Sequence, residues 1–269
     1  MKIFKSINKL KKEVNFKANV GFVPTMGSLH KGHISLIESS KKKCKKTIVS
    51  IFVNPSQFNK LDDYKKYPKN YLKDIKILKK IKIDYLLLPT KKQIFKSQKQ
   101  MRIKINNRDK VLCAKYRKGH FEGVLGVINQ LLKAIKAKYI FLGEKDYQQL
   151  FLIKKFIKKR YKTTIIPCKT IRDKNFLPYS SRNFLLKKND LLKASKVSKK
   201  IKIFHNSIKK NLKNINNINK VKNEISKLGV KVEYLEIRNK NNFTNTINKF
   251  NFKIFISYYL KKIRLIDNF

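Results

Sequence analysis

Two histidines lie three residues apart in a stretch that could bind phosphate, His30 and His33 in the sequence VGFVPTMGSLHKGH. The whole chain has 4 histidines, and half of them fall beside glycine in this one stretch. An apolar run at residues 20–23 predicts a buried strand, and helical spacing begins at Ile34. At such a strand-to-helix junction, free N–H groups and the helix dipole favour an anion. The pair is therefore a candidate phosphate site rather than two incidental surface histidines.

Three further residues shape the turn between the predicted strand and helix. Pro24 is expected to end the strand, because proline brings no N–H to a sheet ladder. Gly27 and Gly32 are expected to permit a tight turn and a close approach of the backbone to a ligand. The sequence therefore predicts that the backbone itself forms part of the anion site.

Strands and helices alternate through the first part of the chain. Apolar or β-branched runs predict strands at 47–53, 83–88, 138–142 and 163–168. Apolar residues at helical spacing predict helices near 34–45, 69–80, 121–136 and 147–160. Repeated strand–helix units of this length predict an α/β fold, a Rossmann-like, doubly wound parallel sheet. Residues 90–119 are lysine-rich and are expected to be irregular.

The pattern changes after Thr170. The polar loop RDKNFLPYSSRN leads into helices, and further strands are predicted at 230–237 and 252–259. We therefore expect two domains, a Rossmann-like domain over 1–170 and a smaller α+β domain over 171–269.

The charge of the chain raises the question of nucleic-acid binding. Among 269 residues there are 67 Lys+Arg and 16 Asp+Glu, a net charge of +51, so a nucleic-acid-binding protein has to be considered. The lysines are spread from one end of the chain to the other and are not gathered into one basic stripe. We therefore expect no specific nucleic-acid partner, although non-specific attraction of polyanions is expected.

Cysteine spacing and hydropathy point to one compartment. The three cysteines, Cys44, Cys113 and Cys168, are far apart, so neither a disulfide framework nor a zinc site is predicted. The N-terminus has no uninterrupted apolar stretch of the secretory kind, and no run reaches the length of a membrane span. The sequence predicts a soluble cytoplasmic protein without a membrane partner.

Six blocks, in order and spread over nearly the whole chain, resemble the pantothenate synthetase family. They are PTMGSLHKGH (24–33), SIFVNPSQF (50–58), GHFEGV (119–124), GEKDYQQL (143–150), PYSSRN (178–183) and RLIDN (264–268). The His-x-Gly-His pattern alone implies only the wider nucleotidylyltransferase superfamily, which includes the class I aminoacyl-tRNA synthetases. Six ordered blocks are far more specific.

The resemblance implies a reaction and its participants. The family joins pantoate to β-alanine with ATP as substrate and Mg²⁺, through a pantoyl adenylate, and releases pyrophosphate and AMP on the pathway to coenzyme A. It also implies a homodimer and a C-terminal domain that acts as a lid. The catalytic residues it implies are His30, His33, Lys145 and Arg182.

The resemblance also implies two sets of binding residues. Those for ATP are Pro24, Thr25, Met26, Gly27, His30, Gly32, His33, Gly143, Lys145, Asp146, Ile171, Tyr179, Ser180, Ser181 and Arg182. Those for pantoate are Met26, Asn54, Gln57 and Gln149, with Tyr67, Arg117 and His120 as the wall of the pocket. No residue is assigned as a metal ligand, because Asp62 and Asp63 fit a solvated acidic loop better than a magnesium site.

The residue types suit that chemistry. A pantoate carboxylate is already ionised and needs no general base, so the first step requires alignment with the α-phosphorus and stabilisation of charge on the phosphates. His30 and His33 can donate N–H bonds to phosphate oxygens, and Lys145 supplies a positive charge. Arg182, with the Ser180 and Ser181 hydroxyls, can clamp pyrophosphate.

Two residues depart from the family pattern. Phe176 stands where the family usually has glycine, so the turn there must form without glycine's conformational freedom. Tyr179 replaces a usual Met or Leu.

Two other functions stay open. Another adenylate-forming or nucleotidyl-transferring enzyme would keep the histidines but would not require Gln57 and Gln149 together. A basic nucleic-acid-binding protein is supported by charge alone and leaves all of the blocks unexplained.

Overall fold

The computed structural model describes residues 1–59, 61–95 and 103–269. The chain divides into two compact units. The first unit consists of Met1–Asn106 and Arg117–Lys169, and the second of Asn107–Tyr116 and Thr170–Phe269. The segment 107–116 therefore belongs to the second unit, although the chain on both sides of it belongs to the first.

The first unit is built on a parallel sheet. Its described strands are β1 (Lys2–Phe4), β2 (Val20–Thr25), β3 (Lys46–Ile51), β4 (Tyr85–Leu87), β5 (Tyr139–Gly143) and β6 (Thr164–Cys168). They pair in the order β1-β4-β3-β2-β5-β6, and every recorded pair is parallel. The predicted α/β, Rossmann-like parallel sheet is confirmed.

Helices cover both faces of this sheet. Those described are α1 (Ile7–Glu13), α2 (Lys31–Lys43), α3 (Leu61–Lys66), α4 (Tyr71–Lys80), α5 (Lys91–Ile94), α7 (His120–Ala134) and α8 (Tyr147–Lys158); α6 (Cys113–Tyr116) belongs to the second unit. Val23 and Val49 pack with Ile37 of α2 and Leu78 of α4 in one core. The neighbouring strand residues Phe22, Ile48 and Ile140 are fully buried as well. Because successive strand residues point to opposite faces, both faces are buried, as a doubly wound sheet requires.

Strand β2 does not end at Pro24, which corrects the prediction from the sequence. The strand continues to Thr25, with Pro24 opposite Ser50 of β3. The pairs between β2 and β5 end at Phe22. Proline is tolerated because its missing N–H lies where β2 is paired only with β3.

The second unit is an α+β arrangement. It contains α6, α9 (Lys188–Lys210), α10 (Ile218–Ser226), β7 (Lys231–Asn239), β8 (Phe252–Leu260) and β9 (Ile263–Asn268). The strands form an antiparallel sheet in the order β7-β8-β9. Val197 and Ile201 of α9 pack with Ile254 and Ile256 of β8 in its core. The smaller α+β part is confirmed, and it gains β9, which the sequence did not predict as a strand.

The segment 107–116 is attached to the sheet of the second unit by side chains. The Cys113 sulfur lies 3.1 Å from the Tyr234 hydroxyl, and the Tyr116 ring stacks on the Tyr234 ring with centroids 5.5 Å apart. The Arg264 guanidinium of β9 donates to the Cys113 sulfur at 3.4 Å. The segment thus covers a tyrosine that is only 5% exposed.

Membrane insertion through a helix finds no support in this fold. The longest described helix, α9, has 23 residues and carries lysines along much of its length. Across 1–59, 61–95 and 103–269, no helix is both long enough and apolar enough to cross a membrane.

Candidate active site

The junction between β2 and α2 holds both motif histidines at the start of the helix. His30 is the N-cap of α2, and its Nδ1 accepts a hydrogen bond from the Gly32 N–H at 3.1 Å. An imidazole nitrogen that accepts carries no proton, so neutral His30 has its proton on Nε2. The His33 ring stacks on the His30 ring with centroids 4.0 Å apart. Two imidazoles therefore lie together at the positive end of a helix dipole.

The turn that leads to these histidines is left-handed at two successive residues. Gly27 has a φ of 78° and Ser28 a φ of 52°. The Thr25 hydroxyl donates to the Ser50 carbonyl at 2.9 Å and accepts from the Gly27 N–H at 3.2 Å. The start of the turn is therefore tied to strand β3.

Asp74 of α4 holds the rest of this turn, a role that was not predicted from the sequence. Its two carboxylate oxygens accept the N–H groups of Ser28 and Leu29, each at 2.8 Å, and the residue is 2% exposed. Burial raises the pKa of the Asp74 carboxyl, and the two N–H bonds oppose that rise. A signal was available, because Asp74 lies four residues before Leu78 on the buried face of an amphipathic helix.

Glycine is required at position 27 for space as well as for conformation. A Cβ added to Gly27 would lie 2.9 Å from an Asp74 oxygen and 3.0 Å from the Ile51 side chain. L residues with a side chain also disfavour this φ, so any other residue at position 27 is expected to strain the turn.

Lys145 and Asp146 add charge beside the histidine pair. They lie in the 3-10 turn Glu144–Asp146 that follows β5, and the Lys145 amino group is 3.4 Å from an Asp146 oxygen. Burial, His33 and the Lys145 charge lower the pKa of His30 to about 2. Burial lowers the pKa of His33 to about 4, with Asp146 opposing and Lys145 reinforcing the shift. At pH 7 both rings are neutral, so Lys145 is the cation of this group and the histidines are neutral hydrogen-bonding groups.

One atom of the pair is buried without a protein partner. The Nδ1 of His33 has no hydrogen-bond partner within the described residues. Buried polar atoms are normally satisfied, by protein, water or ligand. His33 therefore offers a hydrogen-bonding position that a bound molecule can use.

A second group of predicted residues surrounds Gln57. The 3-10 turn Pro55–Gln57 follows β3 and is capped by Asn54, whose side-chain oxygen accepts the Ser56 N–H at 3.1 Å. The Asn54 amide donates to the Gln57 side-chain oxygen at 3.4 Å, and the Gln57 amide contacts the sulfur of Met26. The three side chains predicted to bind pantoate at this end of the sheet thus lie together.

The residues predicted as the pocket wall lie next to Gln57. Arg117 and His120 both hydrogen-bond to its main-chain carbonyl, at 2.9 and 2.7 Å. Tyr67 is buried, and its ring meets the neighbouring Phe58 ring edge-on with centroids 5.5 Å apart.

Gln149 and Gly143 lie near Lys145 in the chain. Gln149 is in the first turn of α8 and is partly exposed, and Gly143 is the last residue of β5. The side-chain amide of Gln149 makes no hydrogen bond within the described residues, so its polar groups are available to a ligand.

The remaining predicted residues belong to the second unit. The Tyr179 N–H donates to the Ile171 carbonyl at 3.0 Å. Ser180 caps the 3-10 turn Ser181–Leu185, and its hydroxyl accepts the Arg182 N–H at 3.3 Å. Ser180, Ser181 and Arg182 thus carry two hydroxyls and one guanidinium on consecutive residues, groups that are suited to binding an anion.

The turn before Tyr179 forms without glycine. Phe176 takes a left-handed conformation, with a φ of 75°. Its ring stacks on the Phe269 ring with centroids 5.8 Å apart, and the amino group of Lys202 lies 4.3 Å from its centre. Side-chain contacts thus hold a backbone conformation that glycine would adopt freely.

Arg172 anchors this turn to β9. Its guanidinium makes two hydrogen bonds of 2.8 Å to the buried Asp267 carboxylate. It also lies 4.7 Å from the ring centre of Phe176 and 4.2 Å from that of Phe269. The Ser198 hydroxyl donates to the same carboxylate at 2.7 Å, so the buried charges are paired and hydrogen-bonded.

Sequence comparisons point to one family. A family model described as pantoate-beta-alanine ligase matches residues 2–269. A pantothenate synthetase of Francisella tularensis subsp. mediasiatica is 39% identical over 270 residues, which cover 98% of this chain and 94% of that protein. A pantothenate synthetase of Francisella philomiragia is 39% identical over 273 residues, with coverage of 100% and 95%.

Solved structures agree with the sequence comparisons. The pantoate-beta-alanine ligase of Francisella tularensis, complexed with Beta-gamma ATP and beta-alanine, has a TM-score of 0.85 at 37% identity, covering 100% of this chain and 97% of that chain. The pantothenate synthetase of Thermus thermophilus has a TM-score of 0.92 at 24% identity, with coverage of 100% and 99%. The similarity to the Thermus thermophilus structure, at this low identity, bears on the fold alone.

Proposed function

The chain belongs to the pantoate-beta-alanine ligase family, and we propose that it joins its substrates through a pantoyl-adenylate intermediate. Its activity is the ATP-dependent ligation of pantoate to β-alanine. In the first step a pantoate carboxylate oxygen bonds to the α-phosphorus, and the bond from that phosphorus to pyrophosphate breaks. In the second step the β-alanine nitrogen bonds to the acyl carbon, AMP leaves with the bonding electrons, and the amine loses a proton.

The observation that carries this proposal is the neutral histidine pair at the start of α2, beside Lys145. Both steps expel a phosphate-containing group, and neither requires the protein to deprotonate a carboxylate. The Nε2–H of His30 can donate to a phosphate oxygen, and His33 offers its buried Nδ1 position. Lys145 then supplies the positive charge that stabilises the transition state. The Gly27 and Gly32 backbone, with Pro24, Thr25, Met26, Gly143 and Asp146, completes the ATP site of the first unit.

Pantoate is assigned to the group around Gln57. The amides of Gln57 and Gln149 bind its hydroxyls and carboxylate, Met26 and Asn54 line the site, and Tyr67, Arg117 and His120 form the wall. Holding the carboxylate in line with the α-phosphorus supplies the alignment that the first step needs.

Magnesium is proposed to enter with ATP. No three His, Cys, Asp or Glu side chains in the described parts of the chain come together as a metal cage. Mg²⁺ usually keeps several waters and binds substrate phosphates with few protein ligands. A site without a cluster of protein ligands among the described residues therefore fits an ion that is carried by the triphosphate. When bound, the ion neutralises phosphate charge; we assign it no protein ligand.

The remaining assignments concern the domains and the assembly. Residues 1–170 are proposed to bind the nucleotide and pantoate, and residues 171–269 to act as a lid. On that lid Ser180, Ser181 and Arg182 bind pyrophosphate, with Ile171 and Tyr179 against the nucleotide. We propose a cytoplasmic homodimer without a membrane or specific nucleic-acid partner.

The intermediate is tested by pyrophosphate release from ATP and Mg²⁺. With pantoate alone, release is expected as a burst of about one pyrophosphate per active site, and β-alanine should convert the burst into steady turnover with equal AMP and pantothenate. A one-step mechanism would release no pyrophosphate until β-alanine is present. A burst independent of pantoate would favour another acyl or nucleotidyl acceptor.

The role of Lys145 is tested by Lys145→Ala, with the exposed Lys154→Ala on α8 as the matched control. Loss of one charged group directed at the transition state is expected to lower kcat by roughly 100- to 1000-fold, or about 2.7–4 kcal/mol. The control should turn over at the wild-type rate. A Lys145→Ala enzyme within a few-fold of wild type would remove Lys145 from the mechanism.

A further inference from the structure

Two residues of the proposed pocket wall, Arg117 and His120, hydrogen-bond to the protein backbone. We propose that Arg117 and His120 are positioning residues that fix Gln57 by holding its main-chain carbonyl. This inference rests on the proposed function for the role of Gln57 in binding pantoate. It adds a task for two residues that otherwise only line the pocket.

Three hydrogen bonds close a small network around one carbonyl oxygen. The Gln57 oxygen accepts from Arg117 Nη2 at 2.9 Å and lies 2.7 Å from His120 Nδ1. The other arginine nitrogen, Nη1, lies 3.0 Å from His120 Nε2. A carbonyl oxygen has two lone pairs, and the two side chains together use both.

The network permits one state of His120. A carbonyl oxygen can only accept, so Nδ1 must donate; arginine only donates and stays protonated, so Nε2 must accept. His120 is therefore neutral with its proton on Nδ1, the reverse of the assignment for His30. The residue is 8% exposed, which shelters these bonds from competition with water.

The backbone held by this network has little room to move. A Cβ on Gly123 of α7 would lie 2.6 Å from the Ser56 carbonyl oxygen, so the helix and the turn 55–57 are in direct contact. The side-chain amide of Gln57 contacts the sulfur of Met26. Fixing the carbonyl therefore fixes the direction of the Gln57 side chain, and a misplacement of about 1 Å can cost on the order of 100-fold in rate.

Two substitutions of His120 separate positioning from simple packing. In His120→Asn the amide nitrogen takes the place of Nδ1 and can still donate to the Gln57 carbonyl. In His120→Gln the amide nitrogen reaches the place of Nε2 and cannot. We expect kcat/KM for pantoate to stay within about threefold of wild type in His120→Asn and to fall roughly 10- to 100-fold in His120→Gln, with KM for ATP unchanged in both.

The controls distinguish this inference from the function on which it rests. Lys118→Ala, an exposed neighbour between the two residues, should behave as wild type. Gln57→Ala should lower kcat/KM for pantoate, and adding His120→Gln to it should cost little more, because the positioned group is already gone. If Gln57→Ala leaves pantoate kinetics unchanged, the proposed role of Gln57 fails, and the inference with it.

The inference alone fails in two other cases. One is an impaired Gln57→Ala with a normal His120→Gln; the other is equal damage in His120→Asn and His120→Gln. A measurement on the unaltered chain needs no variant to fold: the ¹⁵N spectrum of the His120 ring should show the proton on Nδ1, and a proton on Nε2 would overturn the network.

Discussion

Two of the turns that enter the left-handed region of backbone space carry different residues there, and different sets of contacts hold them. In the first unit Gly27 and Ser28 have φ values of 78° and 52°, and in the second Phe176 has a φ of 75°. The first turn is held by hydrogen bonds, since Asp74 accepts the backbone N–H groups that follow Gly27. The second has hydrogen bonds as well, since an Asp173 carboxylate oxygen accepts the N–H groups of Asn175 and Leu177, and it adds packing, since the Phe176 ring lies against Phe269 and a guanidinium.

The difference shows what glycine contributes in each place. At Gly27 the absent Cβ avoids strain and leaves room for a carboxylate that orients backbone donors next to the histidine pair. At Phe176 a left-handed non-glycine residue costs about 1–3 kcal/mol, which aromatic and cation–π contacts of about 0.5–2 kcal/mol each can offset. A turn can therefore lose its usual glycine and keep its backbone shape when the new side chain finds partners.

Of the substitutions in these two turns, Gly27→Ala is expected to have the largest effect. The new Cβ would lie 2.9 Å from the Asp74 carboxylate, which would displace the carboxylate and shift the turn that carries His30. We expect kcat/KM to fall on the order of 100-fold and stability to fall by about 1–3 kcal/mol. Steady-state kinetics and thermal melting measure the two effects.

Gly126→Ala on α7 is the matched control for that prediction. A Cβ on Gly126 meets nothing within 4 Å, and alanine is the better helix former by about 1 kcal/mol. This variant should be fully active and at least as stable as the wild type. Equal behaviour of the two alanine variants would show that the turn at Gly27 has no special requirement.

A smaller effect is expected for Asp74→Asn. An amide keeps one accepting oxygen but replaces the other with a donor, so either the Ser28 or the Leu29 N–H loses its acceptor. The expected cost is about 1–3 kcal/mol of stability, with a lower kcat because the histidine turn loosens. Asp62→Asn, at an exposed position of α3, should change neither quantity. An unchanged melting temperature in Asp74→Asn would mean that packing, and not hydrogen bonding, holds the first turn.

At the second turn, we expect a glycine variant of Phe176 to be more stable than an alanine variant. Phe176→Ala removes the ring and keeps the strain, whereas Phe176→Gly removes both. The glycine variant should therefore be the more stable of the two by about 1 kcal/mol, or roughly 2–4 °C in melting temperature. An alanine variant that melts higher would show that position 176 carries no backbone strain.

The smallest change is expected in the protonation of the two histidines that follow the first turn, His30 and His33. Because the pKa of His30 is lowered to about 2 and that of His33 to about 4, their NMR ring signals should move little between pH 8 and pH 5. Unfolded histidines take up a proton near pH 6.5, so acid below that pH favours the unfolded state. Midpoints near pH 6.5 for either ring would contradict the neutral pair.

Local patterns were enough to predict much of the fold. The apolar spacing over 121–136 predicted α7, which runs over His120–Ala134, and the strand runs predicted the parallel sheet. The histidine junction was predictable for the same reason, because strand, turn and helix are neighbours in sequence. The roles of the individual site residues stay predictions.

The features that the sequence did not predict depend on partners far along the chain. Asp74 is 46 residues from Ser28, so its role requires the order of the strands to be known. Strand β9 was missed because Asp267 interrupts its apolar pattern, and its charge is paired by Arg172, 95 residues away. Pro24 was read as a strand end because its single sheet neighbour at that point could not be foreseen.

The segment 107–116 limits how this protein can be divided or recombined. The backbone passes between the two compact units after residues 106, 116 and 169, so a cut at 170 separates Tyr234 from the Cys113 and Tyr116 side chains that cover it. A C-terminal fragment expressed alone would expose that surface. A hybrid enzyme that takes its C-terminal half from a relative would have to inherit the ten-residue insert from the same parent, as two non-contiguous pieces of gene.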